Sequence, residues 1–198
     1  MPARKAARKP ATKTTKRAAR AKRPARPANG AKAASQVSAI TDPAVRNARS
    51  GSAVRSITPF LWFDGNVEQA ARFYVSLLPD SRIEGLSPMG GSFVLAGQRF
   101  MGLNGGPEYR FTPAVSFFVV CKDQKEVDRL WTALEKGGKP SRCGWIDDKF
   151  GLTWQIVPEA FLRMTADPDP KKVQAVFQAM MGMVKMDVAG LQAAYDSA

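Results

Sequence analysis

From Ser56 onward, apolar and polar residues follow regular periods that the preceding residues lack. The run ITPFLWF, residues 57–63, is a short apolar and aromatic stretch of the kind that forms a buried strand. NVEQAARFYVSLL follows, with Val67, Ala70, Ala71, Phe73, Tyr74, Leu77 and Leu78 at helical spacing, and Pro79-Asp80-Ser81 stops it. SFVLAGQRFMGLN then reads as two strands folded around Ala96-Gly97-Gln98, and Gly105-Gly106-Pro107 closes the unit.

The same order recurs. AVSFFVVC is a strand, KDQKEVDRLWTALEKGG a helix with Val127, Leu130, Trp131 and Leu134 on one face, and CGWIDDKFGLTWQIV a hairpin turning near Asp148 to Gly151. Moving the first unit by 57 positions sets Asn66 on Asp123, Phe73-Tyr74 on Leu130-Trp131 and Leu77 on Leu134. A duplication of this length is a supersecondary unit that needs its partner to cover an open sheet. After Pro158, DPDPKKVQAVFQAMMGMVK predicts a helix capped by Asp169, with Pro170 in its first turn and Val173, Val176, Phe177, Met180 and Val184 on one face. A second short helix is expected from Asp187 through Val188, Leu191 and Tyr195. Met180, Met181, Met183 and Met186 suit packing in a core or interface, or an adaptable lid over a ligand.

Residues 1–55 carry no such pattern. They hold 15 Lys and Arg against one acid, Asp42, whereas residues 56–198 hold 15 basic and 16 acidic residues, so the net charge of +13 belongs entirely to the N-terminal segment. Up to about Ala34 the chain is almost wholly Ala, Lys, Arg, Pro and Thr; Pro10, Pro24 and Pro27 interrupt any helix, and the first aromatic residue is Phe60. A disordered arm is expected, with residues 35–55 as linker. Such a polycation binds DNA or RNA by counterion release, without base selectivity. The contact residues are then Arg4, Lys5, Arg8, Lys9, Lys13, Lys16, Arg17, Arg20, Lys22, Arg23 and Arg26. A basic, acid-poor transit peptide and a purely solvating tail fit the same composition. The passage KAARKPATKTTKRAARAKRPARPA resembles, in composition, the tails of linker histones and bacterial histone-like proteins.

Candidate chemistry narrows quickly because the chain has no histidine, which removes imidazole bases, His-dependent nucleophiles and His-rich metal sites. Cys121 and Cys143 lack CxxC spacing and fit a reducing compartment. Cys121 has strand parity toward the helix layer, which makes it a poor nucleophile. Trp62, Trp131 and Trp154 fall on positions expected to face the core. Asp147-Asp148 reads as hairpin-turn chemistry rather than a catalytic pair. No stretch is apolar enough to span a membrane, so the expectation is a cytoplasmic protein, held at the nucleoid if the arm binds DNA.

The phrases ITPFLWFDGNVEQAARFY, LAGQRFMGLNGGP, FTPAVSFFVVCKDQKEVDRLW and CGWIDDKFGLTWQIVP resemble the vicinal oxygen chelate superfamily of glyoxalases, dioxygenases and bleomycin-resistance proteins. Within it they are most similar to the PhnB-like, or 3-demethylubiquinone-9 3-methyltransferase-like, subgroup. The resemblance implies an α+β fold of tandem βαβββ modules, about 56–107 and 112–158, forming a curved mixed sheet around a cup, with C-terminal helices over 159–198. It also implies a homodimer. In metal-dependent relatives the ligands come from the first and last strand of each module. Counting from the helix starts and hairpin glycines puts these sites on Pro59, Ser116, Met101 and Gln155, four neutral and mostly poor ligands. No metal and no other cofactor is expected. Strand alternation then assigns Pro59, Leu61, Phe63, Met101, Ser116, Phe118, Thr153 and Gln155 to the concave face, a lining suited to a small organic ligand, unless these side chains simply fill the space.

Three function classes follow. One is a metal-independent small-molecule-binding protein with a nucleic-acid-tethering arm. A second is an enzyme acting in the cup, either a methyltransferase as the family label has it or an isomerase or lyase. The third is a nucleoid-associated dimeric interaction protein.

Overall fold

The computed structural model describes residues 56–198; the basic arm and linker, with all eleven candidate nucleic-acid contacts, lie outside the described residues. The first module runs β1 (Phe60–Phe63), α1 (Val67–Leu77), β2 (Arg82–Ser87), β3 (Gly90–Leu95) and β4 (Gln98–Asn104). The second runs β5 (Ser116–Cys121), α2 (Gln124–Glu135), β6 (Lys139–Pro140), β7 (Trp145–Asp147) and β8 (Thr153–Pro158). Three helices follow: α3 (Glu159–Thr165), α4 (Pro170–Met181) and α5 (Val188–Asp196).

Each module forms its own mixed four-stranded sheet, ordered β1-β4-β3-β2 and β5-β8-β7-β6. The crossover through the helix makes β1–β4 and β5–β8 parallel, while the hairpin neighbours are antiparallel. The β3–β4 turn is built on Ala96 and Gly97, both at positive φ (46° and 82°), the conformation a two-residue hairpin loop demands. The edge strand β2 lies outside the periodic pattern because it carries only Ile83 and Leu86 as large apolar residues and a register shift between Ile83 and Gly85 breaks its alternation. The two-residue β6 and the seven-residue α3 are likewise additions to the expected elements.

Helix α1 buries Val67, Ala70, Ala71, Tyr74 and Leu77, and α2 buries Val127, Leu130, Trp131 and Leu134, as the helical spacing predicts. Asp123 caps α2 by accepting from Glu126 N. These faces share one core with Leu61, Phe63, Phe93, Phe100, Trp154 and Ile156, so the modules pack through their helix sides. Ring contacts cross the junction: Tyr74–Trp154 at 5.2 Å, Phe100–Phe117 at 5.0 Å and Phe73–Phe150 at 6.0 Å between centroids.

A second apolar cluster joins Val157 to Phe161, Met164, Val176, Met186 and Leu191 of the C-terminal segment. Asp169 and Asp187 cap α4 and α5, accepting from Lys171 N and Gly190 N. Of the predicted stripe, Val176 is fully buried and Phe177 is 44% exposed, while α4 ends at Met181 with Gly182 as its cap, so Val184, 51% exposed, lies past the helix. The segment is tied to the second module by Cys143 N donating to Met183 O and Gly144 N donating to Val184 O, both at 2.8 Å. Among the described residues, no helix is long and apolar enough to cross a membrane.

Candidate functional site

Residues opposite one another on paired strands share a face, so the registers decide which predicted lining residues stand together. In the second sheet Ser116 pairs with Thr153 and Phe118 with Gln155. These four occupy the face turned away from α2, and Gln155 Nε2 donates to Ser116 Oγ at 2.8 Å. Thr153 on that face is buried and donates to Asp147 Oδ1 at 2.6 Å, while Phe118 and Val120 are about half exposed.

In the first sheet Met101 pairs with Phe60, and Leu103 with Trp62. Leu61 and Phe63 point the other way, into the core against α1, with Phe63 only 2% exposed. Pro59 has their parity, and its carbonyl accepts from Met101 N. The expectation that Pro59, Leu61 and Phe63 share a face with Met101 is therefore corrected: Phe60 and Trp62 hold those places. Trp62 is accordingly not a core residue, unlike Trp131 and Trp154, which are 4% and 2% exposed. The cause is a slip in the repeat. Three residues, Asp64-Gly65-Asn66, join β1 to α1, whereas two, Lys122-Asp123, join β5 to α2. Gly65 at φ 77° accommodates the longer link, and counting back from the helix start misplaces β1 by one residue, which reverses every side chain.

The outer sheet faces thus bring together Met101 with Phe60 and Trp62, and Ser116 and Phe118 with Thr153 and Gln155. A thioether, a hydroxyl and an amide there form no set of hard anionic ligands, and Pro59 supplies no side-chain donor at all. Among the described residues, no group of three or more His, Cys, Asp or Glu side chains is placed to hold a metal ion. The residues do not fit the metal of the metal-dependent superfamily members. Cys121 is fully buried, and burial raises its thiol to about 12, with Glu126 nearby adding to the shift. It is not a nucleophile at neutral pH.

Two features sit where the modules meet. Asp148, only 4% exposed, accepts from Phe150 N (2.8 Å) and Leu152 N (3.0 Å) through Oδ1 and from Trp154 Nε1 (2.9 Å) through Oδ2. The Tyr74 hydroxyl lies beside this carboxylate, short of full hydrogen-bond geometry. Burial raises the Asp148 carboxyl above the usual range although these donors pull it down, and burial beside Asp148 keeps Tyr74 neutral. Asp148 therefore does what its place in the turn suggests, holding the second hairpin together with the Tyr74 ring of α1 packed beside it. Beside it lies a cleft of about 270 Å³ lined by Trp62, Phe63, Asp64, Asn66, residues 107 and 109–111, Asp147, Phe150 and Gly151. Alternation along single strands could not reveal it, because it combines the end of β1, the inter-module link and the β7–β8 turn.

The chain was compared with known proteins. The profile of the family described as 3-demethylubiquinone-9 3-methyltransferase matches residues 55–157. A solved PhnB protein from Bacillus cereus is 31% identical, with 52% of this chain and 98% of that one covered and a TM-score of 0.50. A protein from Pseudomonas aeruginosa is 23% identical over 52% of this chain and 97% of its own, with a TM-score of 0.44. A glyoxalase/bleomycin resistance protein from Albidiferax ferrireducens T118 is 14% identical over 52% and 99%, with a TM-score of 0.39. No curated protein matches the chain. With half of its length matched, in the segment that folds into the two βαβββ modules, the chain belongs to the 3-demethylubiquinone-9 3-methyltransferase family of PhnB-like proteins.

Proposed function

We propose that the chain is a metal-independent small-molecule-binding protein whose ligand lies on the outer sheet faces around Met101, Ser116, Phe118, Thr153 and Gln155. The observation that carries this reading is the chemistry of those faces. On the second sheet Phe118 and Val120, 51% and 49% exposed, share β5 with Ser116 of the neutral Ser116–Gln155 pair, and on the first sheet Phe60, 43% exposed, stands beside Met101. An apolar sheet face with a few fixed polar groups suits a small organic molecule. The same exposure supports a homodimer, in which a second copy covers these faces and closes a cup. The arm, with its excess of 14 positive charges over residues 1–55, tethers the domain to DNA or RNA.

Native mass spectrometry of protein purified from its own cells tests the first two parts together. A dimer carrying an organic adduct, lost in Gln155→Leu and Phe118→Asp variants, is expected. A stoichiometric divalent metal, or a ligand-free monomer, overturns the reading, and saturable micromolar binding of S-adenosylmethionine in calorimetry replaces it with an enzyme. For the arm, affinity for duplex DNA is expected to fall steeply with salt and to collapse when the eleven arm Lys and Arg become Gln. Equal affinity of the two full-length chains refutes the tether.

A further inference from the structure

We infer that the inter-module cleft is a second binding site, for a small organic cation with an ammonium or guanidinium head and an apolar body. It adjoins the outer face of the first sheet at Trp62, but none of Met101, Ser116, Phe118, Thr153 and Gln155 lines it. Its volume, about 270 Å³, is near the lower end of the range for ligand pockets, roughly 300 Å³.

Its walls are fixed before any ligand arrives. Trp62 Nε1 donates to Gly106 O at 2.8 Å, and a Cβ on Gly105 would stand 2.1 Å from the indole ring, so only glycine lets the link run this close. Tyr109 meets Trp62 edge to face at 4.9 Å, and Phe111 meets Phe63 likewise at 5.4 Å. In such a pair the ring that offers its edge keeps its own faces free of the partner, and aromatic faces attract cations. The Phe150 ring already carries the Lys149 ammonium, 5.2 Å from its centroid.

Charge completes the argument. Asp64 and Asp147 both line the cleft, and neither has an ion-pair partner among the described residues. Asp147 uses Oδ1 for the Thr153 hydroxyl, which leaves its second oxygen without a protein donor among those residues. Asn66, also on the lining, has a buried Oδ1 with no hydrogen-bond partner there. Two carboxylates thus line the cleft against one cationic lining residue, Arg110. An anion would meet two carboxylates, and a neutral apolar molecule would leave the acceptors unmet. A cation with N–H donors answers both.

The test is a titration of the full 198-residue chain at neutral pH with phenethylammonium, followed by NMR. Saturable shifts are expected at the Trp62 indole N–H and the Gly151 amide, with affinity about tenfold weaker for the uncharged isostere 2-phenylethanol. Asp147→Asn and, independently, the exposed Asp64→Asn should each weaken phenethylammonium binding, and Arg110→Ala should tighten it. The Asp64 variant reads the same charge if the Asp147 variant does not fold. Absence of saturation, equal affinity for 2-phenylethanol, stronger binding of phenylacetate, or weakening by Arg110→Ala overturns the inference.

Discussion

Replacing Asp148 by alanine tests whether the second module's hairpin depends on one buried carboxylate. The change removes the acceptor of three N–H groups. Phe150 is half-buried, so its amide can turn to water, but Leu152 and Trp154 are 1% and 2% exposed and theirs cannot. Each buried donor left unmet costs about 1–3 kcal/mol, so the two together cost about 2–6 kcal/mol. Part of this is offset, because the mutation also removes a carboxylate that burial disfavours. The expected net loss is about 2–4 kcal/mol, a large share of the roughly 5–15 kcal/mol that holds a domain together. Asp148→Asn can still accept both backbone amides through its oxygen while its NH₂ faces the Trp154 N–H, so it should lose about half as much. Urea unfolding followed by tryptophan fluorescence measures both variants, with a shift in midpoint at constant slope as the signature. A loss below about 0.5 kcal/mol for Asp148→Ala, the range of ordinary surface changes, or an equal loss for both variants, would refute the reasoning.

Two further outcomes follow from the buried groups. The Asp148 carboxyl is raised in the folded chain, so between its ordinary value of 3.8 and the raised value the folded state binds more protons than the unfolded one. This group therefore adds stability as pH falls through that window, and urea midpoints should show the gap between wild type and Asp148→Asn widening from neutral pH toward acid; a gap that narrows contradicts the shift. A thiol-disulfide reagent at pH 8 should modify Cys143 in the native chain and reach Cys121 only in denaturant, since Cys121 is fully buried and raised to about 12. Rapid native modification of both thiols would contradict the burial.

The repeat, both long helices and their buried faces are legible in the sequence because side chains such as Tyr74 and Trp131 recur at helical spacing whatever lies around them. The second sheet is legible for a similar reason: Gly151 marks the hairpin, and Ser116, Phe118, Thr153 and Gln155 follow by alternation. The first sheet is only half legible. Met101 counts correctly from Gly97, but β1 does not count correctly from Asn66, because one extra residue in a loop carries no hydrophobic signature and yet inverts the strand.

Local periodicity determined what forms, namely two βαβββ units, a capped helical tail and a basic arm set apart by charge, since backbone geometry imposes those periods on any buried face. The amino-acid sequence alone also shows that the chain has no histidine and that Met101, Ser116 and Gln155 are neutral, which argues against hard-metal ligation by these three. Only the tertiary structure decided where the units meet. That Tyr74 meets Trp154 beside Asp148, and that Asp64, Arg110 and Asp147 line one cleft, depends on packing two modules helix side to helix side. Contacts between residues far apart in the chain leave no period in a single sequence, because they arise from how finished surfaces fit and not from the backbone repeat that made them.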